Sequence, residues 1–443
     1  MRIRLSDHFN ISMLFRFTLP SVVMMIVTSV YSVVDGLFVS NLVGDTALAA
    51  VNIVYPLTMV VGAFGFMLGT GGSAEVARAM GAGEKEKARQ YFTTLILTVI
   101  TGGVVLSVGG IVFLRPLLAL FGANDVLMDD CVAYGIIMMA GMPMFLLQTS
   151  FQSFLVAAER PKMGLILSVG AGVANMILDY VFIGILRWGV AGAAAATVCG
   201  YVAGGVIPLL YFLLPNQSPL RLVKTRLYPR MLWKSCTNGS SELMTNISTS
   251  LVSVLYNRKL METAGEQGVA ALTVMMYVNF IFAAAFIGFS MGVAPVFSYQ
   301  YGAGNKGELK SLFSKCTRII GTLSLLMAVV SQLLNGPLAG MFVGYDAGLK
   351  AMTEAGFRIF ALSFLFSGWN IFASSFFTAL GDGKVSAILS FLRTLVFQCG
   401  AILTLPLLLD LTGVWWATVA AEGAAGLVTA WFLLRKRRVY HYA

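Results

Sequence analysis

Apolar residues run through this chain in stretches of about 20, one after another from end to end, and each stretch can cross ~30 Å of hydrocarbon as a helix. Short charged clusters separate them. The pattern predicts spans over 12–42, 48–78, 91–114, 131–158, 163–186 and 189–214, then 233–257, 268–300, 311–334, 351–380, 385–409 and 413–434. Several of these exceed the minimum length, so tilt or extension beyond the bilayer is expected. The expected fold class is an all-α polytopic membrane protein with twelve transmembrane helices.

A shift that is constant from the first span to the third, and grows slightly beyond it, superposes the two halves of the sequence. Ser32 meets Ser253, Gly44 meets Gly265, Gly71 meets Gly292, and Gly81-Ala82-Gly83 meets Gly302-Ala303-Gly304, with Lys85 on Lys306. Farther on, Lys162 meets Lys384 and Gly189-Val190 meets Gly413-Val414. Chance matches between apolar sequences are common, so the repeated GAG-x-K carries the most weight. Six spans per copy is an even number, so both copies enter the membrane in the same direction. They form a parallel repeat with a pseudo-twofold axis along the membrane normal. Two such lobes can rock about a central cavity. The expected division is an N-lobe over 1–214, a polar, basic, proline-punctuated linker over 215–230, and a C-lobe over 231–443.

Composition agrees: 58% of residues are hydrophobic and 11% charged, with mean hydropathy +0.83, where a soluble domain carries roughly 25% charged residues. The net charge of +10 sits in loops rather than on a basic face, which argues against nucleic acid. Basic clusters at Arg2/Arg4/Arg16, Arg78/Lys85/Lys87/Arg89, Arg160/Lys162, Arg221/Lys224/Arg226/Arg230/Lys234, Lys306/Lys310/Lys315/Arg318, Lys384 and Arg435–Arg438 all fall on one side. The other side has only Arg115, Arg187, Arg258, Lys259, Lys350 and Arg358. The positive-inside rule then places both termini in the cytoplasm. The first apolar run lacks a cleavage pattern and reads as a retained span. The five cysteines show no CxxC spacing and read as small buried hydrophobes; His8 and His441 lie at the chain ends, which disfavours a histidine metal site.

Ionisable groups inside a span are expensive and mark functional sites by default. Asp35, Asp179, Glu242, Glu422 and the cation Arg393 qualify. Counted at ~1.5 Å per residue from the loops, Asp35, Asp179 and Thr197 share a depth, and Asn175 lies one turn from Asp179 on the same face. Hard oxygen ligands of this kind suit Na⁺, or a proton shared between carboxyls; separate helix-packing hydrogen bonds are the plainer alternative. The second copy does not repeat the set: Asp35 maps to Tyr256, Asn175 to Phe397, Asp179 to Ala401 and Thr197 to Ala421. An ion pair between Glu242 and Arg393 is expected there, with Glu422 lacking an obvious partner. Gln148 and Gln152, together with Tyr31, Asn52, Met275, Met276, Asn279 and Asn370, are candidates to line a substrate cavity, along with Glu242 and Arg393. Met and aromatic side chains give a surface that tolerates varied ligands. Glu75 and Arg78 read as an interfacial pair and nothing more.

The run SVVDGLFVSNLVGDTALAAVNIVYP in the first two spans, GTGGSAEVARAMGAG at the end of the second and NMILDYVFIG in the fifth resemble the multidrug and toxic compound extrusion (MATE) family. The resemblance covers essentially the whole chain and is closest to the bacterial branch that includes MepA and DinF-like members. It implies an antiporter of the bacterial inner membrane that exports organic, often cationic, compounds in exchange for Na⁺ or H⁺. It also implies a cation site at Asp35, Asn175, Asp179 and Thr197, and a bend at Pro20. Some members have acidic C-lobe ligands, one in the seventh span and one in the tenth; Glu242 is a match for the first, while the tenth span here has no internal aspartate and shows Asn370 nearby.

A nucleotide-driven pump is excluded for this chain alone, because no GxxxxGK[ST] motif and no large soluble segment is present. A membrane enzyme would want a His/Asp or Cys constellation at one depth, and none is visible. A lipid-linked saccharide flippase of the same two-lobe plan is the rival within transport. The expectation is therefore a non-enzymatic, cofactor-free, monomeric antiporter whose partners are small organic molecules and the lipid bilayer, with no ATPase subunit.

Overall fold

The computed structural model describes residues 3–43 and 45–443, with the side chains of 32–42 and 45–48 outside the description. The first lobe comprises α1 (Ile11–Leu42), α2 (Asp45–Gly81), α3 (Lys85–Val112), the short α4 (Leu114–Leu120), α5 (Met128–Ala157), α6 (Pro161–Asp179) and α7 (Gly189–Leu213). A π-turn, Tyr180–Ile185, extends α6. The second lobe begins with α8 (Pro229–Gly302) and α9 (Lys306–Val343). It continues through α10 (Ala347–Phe360), a 3₁₀ turn and α11 (Phe364–Leu380), and ends with α12 (Gly383–Phe391), a π-turn at Leu392–Val396 and α13 (Phe397–Tyr440). Among the described residues there is no strand.

Among the described residues ten helical stretches are long and apolar enough to cross a membrane, and two of them double back. In α8 the backbone leaves the helical path at Gly265 (φ 62°). Ser235 and Tyr299, near its two ends, abut Gly71 and Gly81 of the same helix α2, which requires a reversal. In the other, Asp410 (φ 47°) makes the break, and Lys436 and Tyr440 return to Asp382 at the foot of α12, at 2.9 and 2.8 Å. The result is twelve crossings in two six-helix lobes. The expected loops at 258–267 and 410–412 are instead helix carried up to a single left-handed residue.

The outer surface is apolar as well as the interior, unlike that of a soluble protein. Val105, Leu407 and Leu427 stand at least 70% exposed on the outside, while Ser150, Ser331 and Ser386 are fully buried. Lipid tails are as apolar as leucine, so helix association depends on close contact and on internal hydrogen bonds. Ser386 Oγ accordingly joins Ser374 and Thr378 at 2.9 and 2.8 Å. Of the cysteines, Cys131 and Cys316 are buried as expected and Cys236 and Cys399 half-buried, but Cys199 is exposed. It lies on the outer face of α7, where lipid accepts a small apolar side chain as readily as a core does.

The lobes meet through reciprocal glycine contacts that display the pseudo-twofold axis. A Cβ on Gly81 would strike the carbonyl of Tyr299, and one on Gly302 would strike the carbonyl of Arg78; Gly81 pairs with Gly302 in the repeat, and Arg78 with Tyr299. In the same way Gly71 abuts Gly239 while its repeat partner Gly292 abuts Thr18. Two helices approach this closely only where neither has a side chain in the way. The repeated loops also cap their helices identically. Gly83 (φ 80°) and Gly304 (φ 68°) take the left-handed C′ position, and the next residue donates its N–H back to Ala79 or Gln300. All these contacts lie in the half of the molecule that carries both termini.

Candidate cation and substrate sites

In the first lobe α6 packs between α1 and α7. Its inward face carries Ser168, Ala171, Gly172, Asn175 and Asp179 at helical spacing. Asp179 is completely buried. Gly200 of α7 lies against this face, so that a Cβ there would sit 3.7 Å from Asn175 Cβ, and Thr197 stands one turn away on α7. Asn175 and Asp179 therefore share the buried face of α6, which packs against the stretch of α7 that carries Thr197. From α1, Tyr31 covers the same face, with its ring against Gly172. Asp35, one turn farther along α1, has a side chain outside the described residues.

Among the described residues, Asn175 Nδ2 and Thr197 Oγ1 are buried without a hydrogen-bond partner. Each orphaned polar atom is costly away from water. Their presence beside a buried carboxylate fits a site that an arriving cation or proton completes. The π-turn that follows Asp179 adds to this, since such turns recur at functional sites. Pro20 is buried within an unbroken α1, where it removes one backbone donor.

Gln148 and Gln152 face inward within the first lobe. With Ser168, Gly204 and Pro208 they line a cavity of about 10 Å³, room for a single water. Met275 is fully buried, with its methyl near Gly356. It is a packing residue, so the expectation that it lines a substrate cavity is corrected. Met276 and Asn279 are half-buried and Asn52 is exposed.

The second lobe holds a different polar centre. Arg393 donates through Nε to both oxygens of Glu422, at 2.9 and 3.0 Å. Asn370 Nδ2 donates to Glu422 Oε2 at 2.8 Å, and Thr429 donates to Asn370 Oδ1 at 2.8 Å. Nearby, Tyr256 donates to Gln398 at 2.8 Å and lies 3.0 Å from Thr418 Oγ1. The expected Glu242–Arg393 pair is thus wrong, and Glu422 has the partner it was expected to lack. Glu242 is half-buried and makes no ion pair among the described residues. Asn370 is committed to this network rather than open to a substrate. Sequence reasoning missed the Tyr256–Gln398–Thr418 contacts, yet a signal existed: Tyr256 is the repeat partner of Asp35, and Glu422 follows the partner of Thr197.

Glu75 also exceeds its expected role. It pairs with Arg78 and, at 3.5 Å, with Lys234 of the other lobe. It is 6% exposed. A buried carboxylate between two cations bridges the lobe seam.

A two-lobed bundle of twelve crossings, with a carboxylate held in the middle of one lobe, has the architecture of a membrane transporter. The MatE family model matches residues 20–181 and 243–400, one stretch per lobe, and the chain belongs to this multidrug and toxic compound extrusion family. Among curated relatives, the multidrug export protein MepA of Staphylococcus aureus strain MRSA252 is 22% identical over 426 residues, covering 95% of this chain and 93% of the relative. The MepA protein of Staphylococcus saprophyticus is 23% identical over 430 residues, with the same coverage. Among solved structures, a MATE protein in complex with MaL6 superposes with a TM-score of 0.92 at 22% identity, over 98% of both chains. An outward-facing multidrug resistance MATE transporter superposes with a TM-score of 0.91 at 23% identity, over 97% of this chain and 96% of the other.

Proposed function

We propose that this chain is a secondary antiporter that exports organic, cationic or amphiphilic compounds across the bacterial plasma membrane in exchange for Na⁺ or H⁺. The observation that carries the reading is Asp179, wholly buried on the face of α6 that also carries Asn175, with the Thr197 hydroxyl buried and orphaned among the described residues of the adjoining α7, in a chain whose curated relatives are multidrug exporters. Asp35 completes the proposed ion site. With both termini in the cytoplasm, the glycine seam closes the cytoplasmic side, which corresponds to an outward-facing state. The moving units are the lobes 1–214 and 231–443, linked by 215–230, and Pro20 is the bending point of α1. No cofactor or second chain is invoked. The coupling ion is cargo: its arrival neutralises the carboxylates, biases the lobes toward substrate release, and is reversed when the ion leaves inside.

The flippase reading is less well supported. A pyrophosphate-bearing substrate wants unspent cations, and Arg393, well inside its span, is bound to Glu422. Efflux from proteoliposomes, driven separately by Na⁺ and pH gradients across a panel of organic cations, tests the proposal. Asp179→Asn is expected to abolish gradient-driven efflux while inserting normally. Full-rate pumping by that variant would remove Asp179 from the coupling site.

A further inference from the structure

The segment ahead of α1 does not trail into solvent. Leu5 and Phe9 are fully buried. Leu5 N–H donates to Glu159 Oε1 of the first lobe at 3.0 Å, and Leu5 O accepts from Gln300 Nε2 of the second at 2.9 Å. Phe9 N–H donates to Glu308 Oε1 at 3.0 Å, His8 Nδ1 lies 2.5 Å from Glu308 Oε2, and Lys315 Nζ reaches Phe9 O at 2.5 Å. One short segment thus binds both lobes, and its partners on the second lobe sit at the end of α8 and on the first turns of α9.

Two comparisons within the repeat show that this is a built contact. Glu159 adopts the left-handed conformation (φ 60°). At the matching turn of the second lobe stands Gly381 (φ 80°), the residue that takes this conformation without strain. A glutamate there is costlier, and its carboxylate is what holds Leu5. The linker ahead of α8 is the repeat partner of the amino-terminal segment, and it docks on α3 through Thr225, hydrogen-bonded to Gln90 O at 3.0 Å, and through Tyr228 to Gln90. Each lobe is therefore preceded by an arm that lies on the third helix of the opposite lobe. The linker joins α7 to α8, and the amino-terminal arm runs directly into α1.

We propose that residues 3–10 form a clamp that locks the lobes together on the termini side, and that Glu308 must release this arm before that side can open. The inference rests on the alternating-access reading above. It is tested by spin-labelling Lys85→Cys and Lys306→Cys, exposed positions at the starts of α3 and α9, in a chain with Cys199, Cys236 and Cys399 replaced by serine. In nanodiscs the parent is expected to give one short, narrow distance. Glu308→Ala and deletion of residues 3–9 should each at least triple the population at longer distances. A distribution unchanged in both variants overturns the proposal.

Both variants could merely unfold, so a second measurement uses His8→Cys with Glu308→Cys joined by a short bis-methanethiosulfonate, which links each cysteine through a reducible disulfide. The clamp predicts at least a tenfold loss of export that reduction restores. Full-rate export by the cross-linked protein sinks it. Failure of the unlinked parent to export any panel compound would instead count against the antiporter reading, leaving the distance measurement to decide the clamp.

Discussion

At the scale of single residues, the two lobes solve the problem of buried charge differently. The first keeps a carboxylate with orphaned neighbours, and the second neutralises Glu422 with Arg393 and spends its remaining acceptors on Asn370. Removing one member of a buried pair strands the other, at a cost on the order of 3 kcal/mol. Glu422→Gln should therefore lower the thermal unfolding temperature markedly. The double variant Glu422→Leu/Arg393→Leu should recover most of the loss, and a double variant as unstable as the single one would show that the pair contributes more than charge cancellation. The first centre was legible in the sequence because Asp179 and Thr197 could be counted inward from one shared loop. The second is not, because Arg393 follows the loop at Lys384 and Glu422 follows the loop on the opposite face, so no shared edge relates their depths in the sequence. Side-chain direction also escaped the sequence: Met275 packs against Gly356, and no spacing rule distinguishes that from a cavity wall.

At the scale of elements, the apolar runs placed all the crossings, but the turns between them depend on single backbone conformations. Gly265 and Asp410 perform the same reversal in α8 and α13. An aspartate at positive φ with extended ψ is strained where glycine is not, by about 1 kcal/mol. Asp410→Gly is accordingly expected to raise thermal stability and Gly265→Ala to lower it, both read by a melting curve in detergent. Equal destabilisation by the two substitutions would mean that the Asp410 side chain contributes something its exposed position does not suggest. The π-turns show the same limit of legibility. Both polar centres border one, at Asp179 and at Arg393, and periodicity over 163–186 or 385–409 cannot announce an extra residue in a turn.

For the whole molecule, the strongest repeat signal in the sequence, the paired GAG-x-K, proves to be the crossing point of the lobes. Gly81 and Gly302 each meet the other helix's backbone, so Gly81→Val and Gly302→Val should have the same effect. Either should part the termini side, seen as faster hydrogen exchange at the ends of α2 and α8. Because both open one seam, the double variant should add little to either alone. Additive effects would show that the two crossings open independently.

The exchange of arms across the seam also bears on how the protein can be divided. From Ser218 to Tyr228 the linker is fastened to the first lobe by its own contacts, including Ser218 Oγ to Ala158 O at 3.2 Å, Leu222 N–H to Phe212 O at 2.9 Å and Val223 N–H to Thr93 Oγ1 at 3.0 Å. Leu220 within it is fully buried. Its covalent continuity therefore adds little to the docking. A chain severed after Pro215 and produced as two polypeptides should reassemble into one particle that co-purifies through a tag on either piece. Pieces that fail to find each other would mean that synthesis as a single chain, rather than the docked arms, is what brings the halves together.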